Sequence, residues 1–373
     1  MNFSLIVGVV IVAALAFDFT NGFHDTANAM ATSIATGALK PRVAVAISAV
    51  LNLVGAFLSI QVAKTISGGI VDDTKVTPVV IFAGLVGAII WNLLTWILGL
   101  PSSSSHALFG GLIGATWIAS GADAVHFGQV VQKVLIPAVA SPLVAGVVAM
   151  AGTFLVYRIT ESARQDVVSR SFKTAQALSA SLVSLAHGTN DAQKTMGVVT
   201  LTLIASGSLA AGSGPPLWVI LSSGVAIAAG TYFGGWRIIN TMGKRITEIE
   251  TPQGFAAETS AAVTILASSH LGFALSTTHV CSGGIVGSGV GRKLAEVRWG
   301  VAGQMVIAWV LTLPAAAVVG AGAAEVAREG AFGTLSIGVF LIAIALGVFL
   351  WSRRNPVTPD TVTAAAEPIP ATV

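Results

Sequence analysis

Charged residues are scarce in this chain. Asp, Glu, Lys and Arg together make up 9% of its 373 residues, whereas hydrophobic residues make up 54%. A soluble globular domain carries about 25% charged residues, so the composition excludes an ordinary soluble protein. The mean hydropathy is +0.85. Apolar runs recur at 43–63, 79–100, 130–156, 218–236 and 335–351, close to the roughly 20 residues that span a bilayer. The sequence therefore predicts an all-α polytopic membrane protein of the cell (inner) membrane.

Cysteine and surplus basic charge are also nearly absent. The single cysteine, Cys281, excludes an intrachain disulfide. The net charge of +3 is small and its basic residues are scattered, which argues against nucleic acid as a partner. The apolar start has neither a basic first segment nor a small-residue cleavage site, so we expect it to belong to the first membrane helix.

The few charges gather in short stretches and suggest the domain organisation. We predict a first transmembrane repeat over 1–157, a charged connecting loop over 158–173, and a second repeat with a terminal helix over 174–352. The proline-rich end, 353–373, is predicted to be a disordered tail.

The chain repeats itself. "NGFHDTANAM" (21–30) matches "HGTNDAQKTM" (187–196), and "SSSSHALFGGLIG" (102–114) matches "LSTTHVCSGGIVG" (275–287). Both pairs are separated by nearly the same number of residues, which indicates a duplicated half. Matching polar interruptions in two apolar halves are typical of secondary transporters.

The first motif lies in an apolar segment that is too long for one simple crossing. As a continuous helix, residues 5–39 would extend about 52 Å, against a hydrocarbon core of about 30 Å. The segment must tilt, break or extend beyond the membrane. We predict a broken helix at Asn21–Gly22 in the first repeat and its equivalent in the second, with a re-entrant hairpin at each Ser/Thr-rich segment. Membrane orientation is not predicted, because counting each long apolar run as one crossing divides Lys and Arg almost evenly between the two sides. The same count would make the two repeats parallel.

Four carboxylates fall within apolar surroundings: Asp25, Asp191, Glu258 and Asp18, which precedes the first motif and is the weaker candidate. An ionised carboxylate near the bilayer centre is costly and usually handles ions or protons. The alternatives are a helix cap or a position nearer the interface. The matched places of Asp25 and Asp191 favour cation or proton coupling, and we include Glu258 as a third candidate.

Amide, imidazole and ammonium groups accompany the two aspartates. They are Asn21, His24 and Asn28 in the first copy, and His187, Asn190 and Lys194 in the second. Asn28 and Asn190 are candidates to bind substrate, and the others to support the site. Each asparagine could instead join helices, each histidine could be a packing residue, and Lys194 could extend to the interface.

The Ser/Thr-rich segments suit an anion. Hydroxyl groups and free backbone N–H groups at a helix N-terminus bind anions, although small hydroxyl residues also permit close helix packing. We expect substrate contacts from Ser104, Ser105, Thr277 and Thr278. Support would come from Ser103, Ser276, His106 and His279, whose imidazoles could orient the hairpins.

An anion site beside two carboxylates requires cations. Na⁺ or H⁺ at Asp25 and Asp191 would remove the repulsion, and each species would then raise the affinity of the other. This logic predicts a symporter with no catalytic residues, no resident metal and no cofactor.

Taken together, "NGFHDTANAMATSIATGALKP", "HGTNDAQKTMGV" and the two Ser/Thr-His segments resemble the inorganic phosphate transporter (PiT) family over nearly the whole chain. The resemblance implies phosphate carried with Na⁺ or H⁺ through an inverted-repeat fold with two re-entrant hairpins. It also implies that Asp25, Asn28, Asn190 and Asp191 serve phosphate and cation binding. The hairpin hydroxyls would hold phosphate, and Glu258 would be a carboxylate required for transport.

Two departures from the family pattern refine this expectation. His24 follows Phe23 where Ala-Asn is usual, and Gln193-Lys194 replaces a closing Ala-Asn. These changes resemble the bacterial low-affinity branch, which implies proton-coupled carriage of phosphate with a divalent metal such as Mg²⁺. Loss of an asparagine removes a sodium ligand, so we favour H⁺ over Na⁺. The sequence leaves open whether the protein forms a homodimer.

Three other functions are alternatives to phosphate transport. An intramembrane phosphohydrolase would need further His and Asp ligands that the sequence does not supply. A non-transporting scaffold would not require duplicated buried charges. A permease for sulfate or another oxyanion is the nearest alternative, because tetrahedral oxyanions differ mainly in protonation and charge.

Overall fold

The computed structural model describes residues 4–292 and 297–363, and these are built almost entirely from helices. In chain order the helices are α1 (Leu5–Ala35), α2 (Pro41–Gly55), α3 (Gln61–Gly69), α4 (Pro78–Ile97), α5 (Ser104–Ser120), α6 (Phe127–Val130), α7 (Ile136–Thr160), α8 (Gln165–Ala205), α9 (Leu217–Phe233), α10 (Trp236–Asn240), α11 (Thr251–His270), α12 (Thr277–Gly291), α13 (Trp299–Ala327), α14 (Ala331–Arg354) and α15 (Pro359–Thr363). π-helical turns at Val131–Leu135 and Thr241–Arg245 continue α6 into α7 and extend α10.

Helix boundaries follow local sequence signals. Proline lies in the first turn of α2 and α4, where its fixed φ suits a helix start and its missing N–H costs no hydrogen bond. Gly37 and Gly207 follow the ends of α1 and α8 with φ of 69° and 71°, a left-handed conformation that glycine adopts without strain. The matching helices of the two halves therefore end in the same way.

Several helices are suited to a bilayer. Among the described residues, five spans are long and apolar enough to cross: α1, α4, α6 with α7, α13 and α14. The pair 217–233 and 236–245, bent by 59°, would add a sixth if it counts as one span. In α14 one side, with Ile337, Leu341 and Ile344, packs against the core. Much of the rest is apolar and exposed, including Phe332, Val339 and Phe349.

The duplication is visible in the packing of the helices. α1 packs against α9 while its counterpart α8 packs against α2, and α5 packs against α13 while its counterpart α12 packs against α7. α1 and α8 also pack against each other. Helices of each half thus pack against helices of the other half in the same pattern. The two helices that carry the motifs, α1 and α8, are in contact.

Motif glycines allow these close approaches. A Cβ at Gly22 would collide with the carbonyl oxygen of Ile227 in α9, and a Cβ at Gly188 would collide with that of Asn52 in α2. The motif glycines therefore set the separation of helices from opposite halves.

We expect Gly188→Ala to destabilise the protein by roughly 1–3 kcal/mol, because the added methyl group overpacks a backbone contact. Gly303 is a matched control, since it also lies inside a helix but has nothing within 4 Å of a Cβ. Gly303→Ala should be neutral or slightly stabilising. Thermal unfolding in detergent measures both, and equal melting temperatures for the two variants would contradict the packing role of Gly188.

The predicted broken helix at Asn21–Gly22 is wrong. α1 is continuous over 31 residues and α8 over 41 residues. Gly22 serves close packing rather than a break, because its missing side chain accommodates the backbone of α9. The interruptions fall elsewhere, between α2 and α3 and between α9 and α10.

Two predicted boundaries also change. Within the predicted loop 158–173, α7 continues to Thr160 and α8 begins at Gln165, so most of that stretch is helical and only 161–164 connects the helices. In the predicted tail, α14 continues to Arg354 and α15 buries Val362. The remaining part, 364–373, lies outside the described residues.

Candidate functional site

The polar motifs of α1 and α8 are buried where these two helices pack together. Asp25 is 1% exposed, and Asp191 and Lys194 are 0% exposed. Charged groups with so little access to water must be paired or must bind ions. The two aspartates therefore lie inside the protein, as their sequence surroundings predicted.

The two Ser/Thr-rich segments form helix N-termini with identical caps. Ser103 Oγ accepts a hydrogen bond from the backbone N–H of His106 at 3.1 Å, and Ser276 Oγ accepts one from that of His279 at 3.2 Å. Serine is among the preferred N-cap residues. Ser103 and Ser276 thus have a structural task that starts α5 and α12.

Both helix N-termini meet at Asp25. Ser104 Oγ donates to Asp25 Oδ2 at 2.8 Å, while Thr277 Oγ1 lies 3.4 Å from the same oxygen and Thr278 Oγ1 lies 3.5 Å from Oδ1. The fourth predicted hydroxyl, on Ser105, donates instead to the carbonyl oxygen of Leu275 at 3.2 Å. Predicted substrate hydroxyls from opposite halves of the sequence therefore converge on one carboxylate.

Asp191 is held by a different set of partners. Lys194 Nζ lies 2.6 Å from its Oδ1, and Asn21 Nδ2 donates to its Oδ2 at 3.3 Å. His187 Nε2 lies 3.2 Å from Oδ2, although not in hydrogen-bonding geometry. Thr277 Oγ1 also lies 3.3 Å from Asp191 Oδ2. Because a hydroxyl has one proton, Thr277 can donate to either aspartate but not fully to both.

Three amide oxygens at the site have no hydrogen-bond donor among the described residues. They are the Oδ1 atoms of Asn21, Asn28 and Asn190. The amide of Asn28 donates to Thr277 and Thr278 at 3.2 and 3.0 Å, and that of Asn190 donates to Ser269 at 2.9 Å. Buried carbonyl-type oxygens without a donor are suitable ligands for a hard cation.

A second grouping suits a divalent cation. One ligand atom each of Asp25, His187 and Asp191 lies within 4.8 Å of the others. Carboxylate with imidazole is a donor set for such metals. The sequence analysis proposed no metal ligands, and in the structure α8 brings His187 next to both aspartates.

His24 is held in part by two hydroxyl groups, of Thr95 and Ser102, that the sequence analysis did not name as candidates. Its Nδ1 lies 2.6 Å from Asp25 Oδ1, and its Nε2 lies 3.1 Å from Thr95 Oγ1 and 3.4 Å from Ser102 Oγ. Thr95 is an isolated hydroxyl in an apolar run, and that is the signal that could have identified it.

His106 and His279 connect the first turns of α5 and α12 to each other. Their ring centroids are 4.8 Å apart, and His279 also stacks on Trp309 at 4.2 Å. His279 Nδ1 lies 3.1 Å from the carbonyl oxygen of Ala138 in α7. These contacts fit a role in holding the N-terminal ends of α5 and α12 together.

Glu258 lies in a separate cluster. It is 3% exposed and accepts hydrogen bonds from Thr32 and Ser179, each at 2.5 Å, and from Gln176 at 3.2 Å. No recorded hydrogen bond among the described residues joins Glu258 to Asp25 or Asp191. Its partners lie on α1 and α8, the helices that carry the aspartates. Glu258 therefore contacts the same two helices at a different position along their length.

Gln193, which departs from the family pattern, has a structural contact. Its Oε1 accepts the backbone N–H groups of Val62 and Ala63 at 2.8 and 3.3 Å, which lie in the first turn of α3. These N–H groups would otherwise have no partner within the helix. The contact joins residues that are 131 positions apart and lie in different repeats, and no local sequence pattern indicated it.

Comparison with known proteins gives a consistent result. The model of the "Phosphate transporter family" matches residues 21–320. A "Probable low-affinity inorganic phosphate transporter" of Mycobacterium bovis is 58% identical over 359 residues, covering 95% of this chain and 86% of the relative. A protein of the same name from Bacillus subtilis is 42% identical over 315 residues, covering 84% and 94%.

A solved structure agrees with the fold. "The sodium-dependent phosphate transporter" superposes with a TM-score of 0.73 at 26% identity, covering 88% of this chain and 100% of that one. These proteins are transporters, so the phosphohydrolase alternative is set aside. The apolar spans make the chain an integral membrane protein of the cell (inner) membrane. The chain belongs to the phosphate transporter family.

Proposed function

We propose that this protein imports inorganic phosphate by symport with a monovalent cation, H⁺ in preference to Na⁺. The phosphate is carried as a complex with a divalent metal such as Mg²⁺. The observation that carries the proposal is the position of Thr277, whose hydroxyl lies within 3.4 Å of a carboxylate oxygen of both Asp25 and Asp191. The anion-binding and cation-binding groups are thus the same hydrogen-bonded unit.

The coupling follows from which oxygen accepts the hydrogen bond that each hydroxyl group donates. Ser104 and Thr277 donate toward Asp25, and a hydroxyl has only one proton to donate. Neutralising Asp25 with a cation weakens these bonds and lets the hydroxyls turn to phosphate oxygens. The N-termini of α5 and α12 add backbone N–H groups and a favourable dipole. Cation binding therefore raises phosphate affinity, and phosphate raises cation affinity by the same factor.

His24 supports H⁺ as the coupling ion. Its Nδ1 lies 2.6 Å from Asp25 Oδ1, where an imidazole nitrogen could pass a proton to or from the carboxylate. The unpartnered amide oxygens of Asn21, Asn28 and Asn190 support Na⁺ as the alternative, which is also the ion named for the sodium-dependent structural relative.

The metal–phosphate complex is supported by the grouping of Asp25, His187 and Asp191 and by formal charge. Two carboxylates and the Lys194 ammonium leave one negative charge, and a neutral complex of a divalent metal with hydrogen phosphate adds none. One proton then balances the site, which limits the cost of burying charge. A free phosphate dianion would leave a large excess of negative charge.

The matched exchange of helices between halves supports an inverted repeat in which α4 with α5, and α11 with α12, form the two re-entrant hairpins. The irregular segments before Ser104 and Thr277 are buried within protein, which is where non-helical backbone is tolerated at membrane depth.

Uptake of labelled phosphate into proteoliposomes tests this function, with the pH, Na⁺ and Mg²⁺ gradients varied independently. We expect uptake driven by an inward proton gradient, stimulated by Mg²⁺ and insensitive to Na⁺. Uptake driven by Na⁺ alone would replace H⁺ by Na⁺, and a preference for labelled sulfate would contradict the assigned substrate.

A further inference from the structure

We infer that the ammonium group of Lys194 permanently occupies the place of a second coupling cation, so that one mobile cation at Asp25 completes the site. This inference rests on the proposed symport. It assigns to Lys194 the role of fixing how many cations accompany each phosphate.

The internal repeat provides the comparison. Lys194 aligns with Asn28, just as Asp191 aligns with Asp25. Asn28 lies three residues after Asp25 and directs its amide to the hydroxyls of the opposite hairpin. Lys194 lies three residues after Asp191, but its side chain turns to that aspartate instead. One half thus places a neutral amide where the other half places a cation.

The environment of the two aspartates differs accordingly. Asp191 is paired with an ammonium at 2.6 Å, and both side chains are 0% exposed. Asp25 is surrounded by hydroxyl donors and the His24 ring, and no Lys or Arg lies within ion-pair distance of it among the described residues. A buried carboxylate requires a compensating charge, so Asp191 has its own and Asp25 must acquire one from solution.

The ammonium group of Lys194 can donate more hydrogen bonds than the one it makes to Asp191. Lys194 has three N–H donors, and its one recorded hydrogen bond among the described residues is the bond to Asp191. A small monovalent cation at the same place would meet the same carboxylate. Removing the lysine side chain should therefore leave a space that binds a soluble cation.

The rival role for Lys194 is direct contact with phosphate. In that case a soluble cation would not replace it, because the lost contact is to the anion. Two variants separate these roles: Lys194→Ala removes the charge and leaves space, while Lys194→Met removes the same charge and fills the space.

The test measures thermal stability in detergent without phosphate, at fixed ionic strength, with NaCl, methylammonium chloride or the larger tetramethylammonium chloride. We expect NaCl and methylammonium to stabilise Lys194→Ala more than wild type or Lys194→Met, and tetramethylammonium to stabilise none of them. If Lys194→Ala shows no larger stabilisation than Lys194→Met, the inference is overturned.

Phosphate uptake by the same variants gives a second readout. Loss of the buried charge should lower uptake by both variants, with recovery on Na⁺ addition in Lys194→Ala only. Wild-type uptake by Lys194→Ala without Na⁺ would overturn the inference. If wild-type protein itself does not transport phosphate, the proposed function fails, while the stability comparison still decides whether Lys194 substitutes for a cation.

Discussion

Asp25→Asn is expected to lower phosphate uptake by about a hundredfold, the upper part of the usual range for coupling between two ligands, while the protein stays folded. The asparagine keeps the size of the side chain and can still accept from Ser104, whose hydroxyl lies 2.8 Å from Oδ2. It cannot take up a proton, and it attracts a cation far less. Binding of the driving ion is lost, and with it the switch that frees the hydroxyls for phosphate.

Initial uptake rates in proteoliposomes measure this effect, with size-exclusion profiles and melting temperatures as the check on folding. Asp123→Asn is the control, because Asp123 is exposed in the segment after α5 and loses the same charge. Asp123→Asn should transport as wild type does. Wild-type uptake by Asp25→Asn would remove Asp25 from the mechanism.

Asp191→Asn is expected to lose stability as well as transport. Asp191 and Lys194 form a fully buried pair at 2.6 Å, and removing one partner of such a pair costs about 3–5 kcal/mol because a charge is left unpaired. Asp25→Asn leaves no buried ammonium unpaired and should cost much less. The two matched aspartates should therefore differ in their effect on unfolding even though replacing either one strongly lowers uptake.

The double variant Asp191→Asn with Lys194→Met isolates the cause of that loss. It removes both charges, so melting temperature should recover most of the way to wild type, since replacing a whole buried pair is often nearly neutral. A double variant as unstable as Asp191→Asn alone would show that the ion pair is not what stabilises this part of the protein.

The sequence predicted which polar residues come together because the two halves carry the same motifs. Asp25 with Asp191, and Ser104 with Thr277, were chosen from matched positions, and in the structure these four residues are joined by hydrogen bonds. Duplication makes such a prediction possible, since two copies related by symmetry bring equivalent residues to a common centre. Nothing in either copy alone would have paired a serine near position 104 with an aspartate near position 25.

Glycine and charge patterns were less informative about helix boundaries. Gly22 next to Asn21 suggested a break, yet the same glycine allows α1 to touch α9 while remaining helical. The charged stretch after α7 suggested a loop, yet it extends α8 as a helix beyond the core. Both patterns have two physical explanations, and only the packing distinguishes them.

The supporting residues could not be found from spacing. Thr95 and Ser102 fix His24, and Ser179 with Gln176 hold Glu258. Each is a single polar side chain whose partner lies far away in the chain. Their importance depends on helix packing that no local pattern encodes.

The central claim is that phosphate binds between the N-termini of α5 and α12, beside Asp25 and Asp191. The most direct measurement is an X-ray structure of the protein with arsenate and Mg²⁺, in which anomalous scattering locates the arsenic atom. The account predicts one peak within hydrogen-bonding reach of the Ser104, Thr277 and Thr278 hydroxyls. A peak elsewhere, such as beside the exposed basic residues Arg158 and Lys173, with none at the N-termini of α5 and α12, would contradict it.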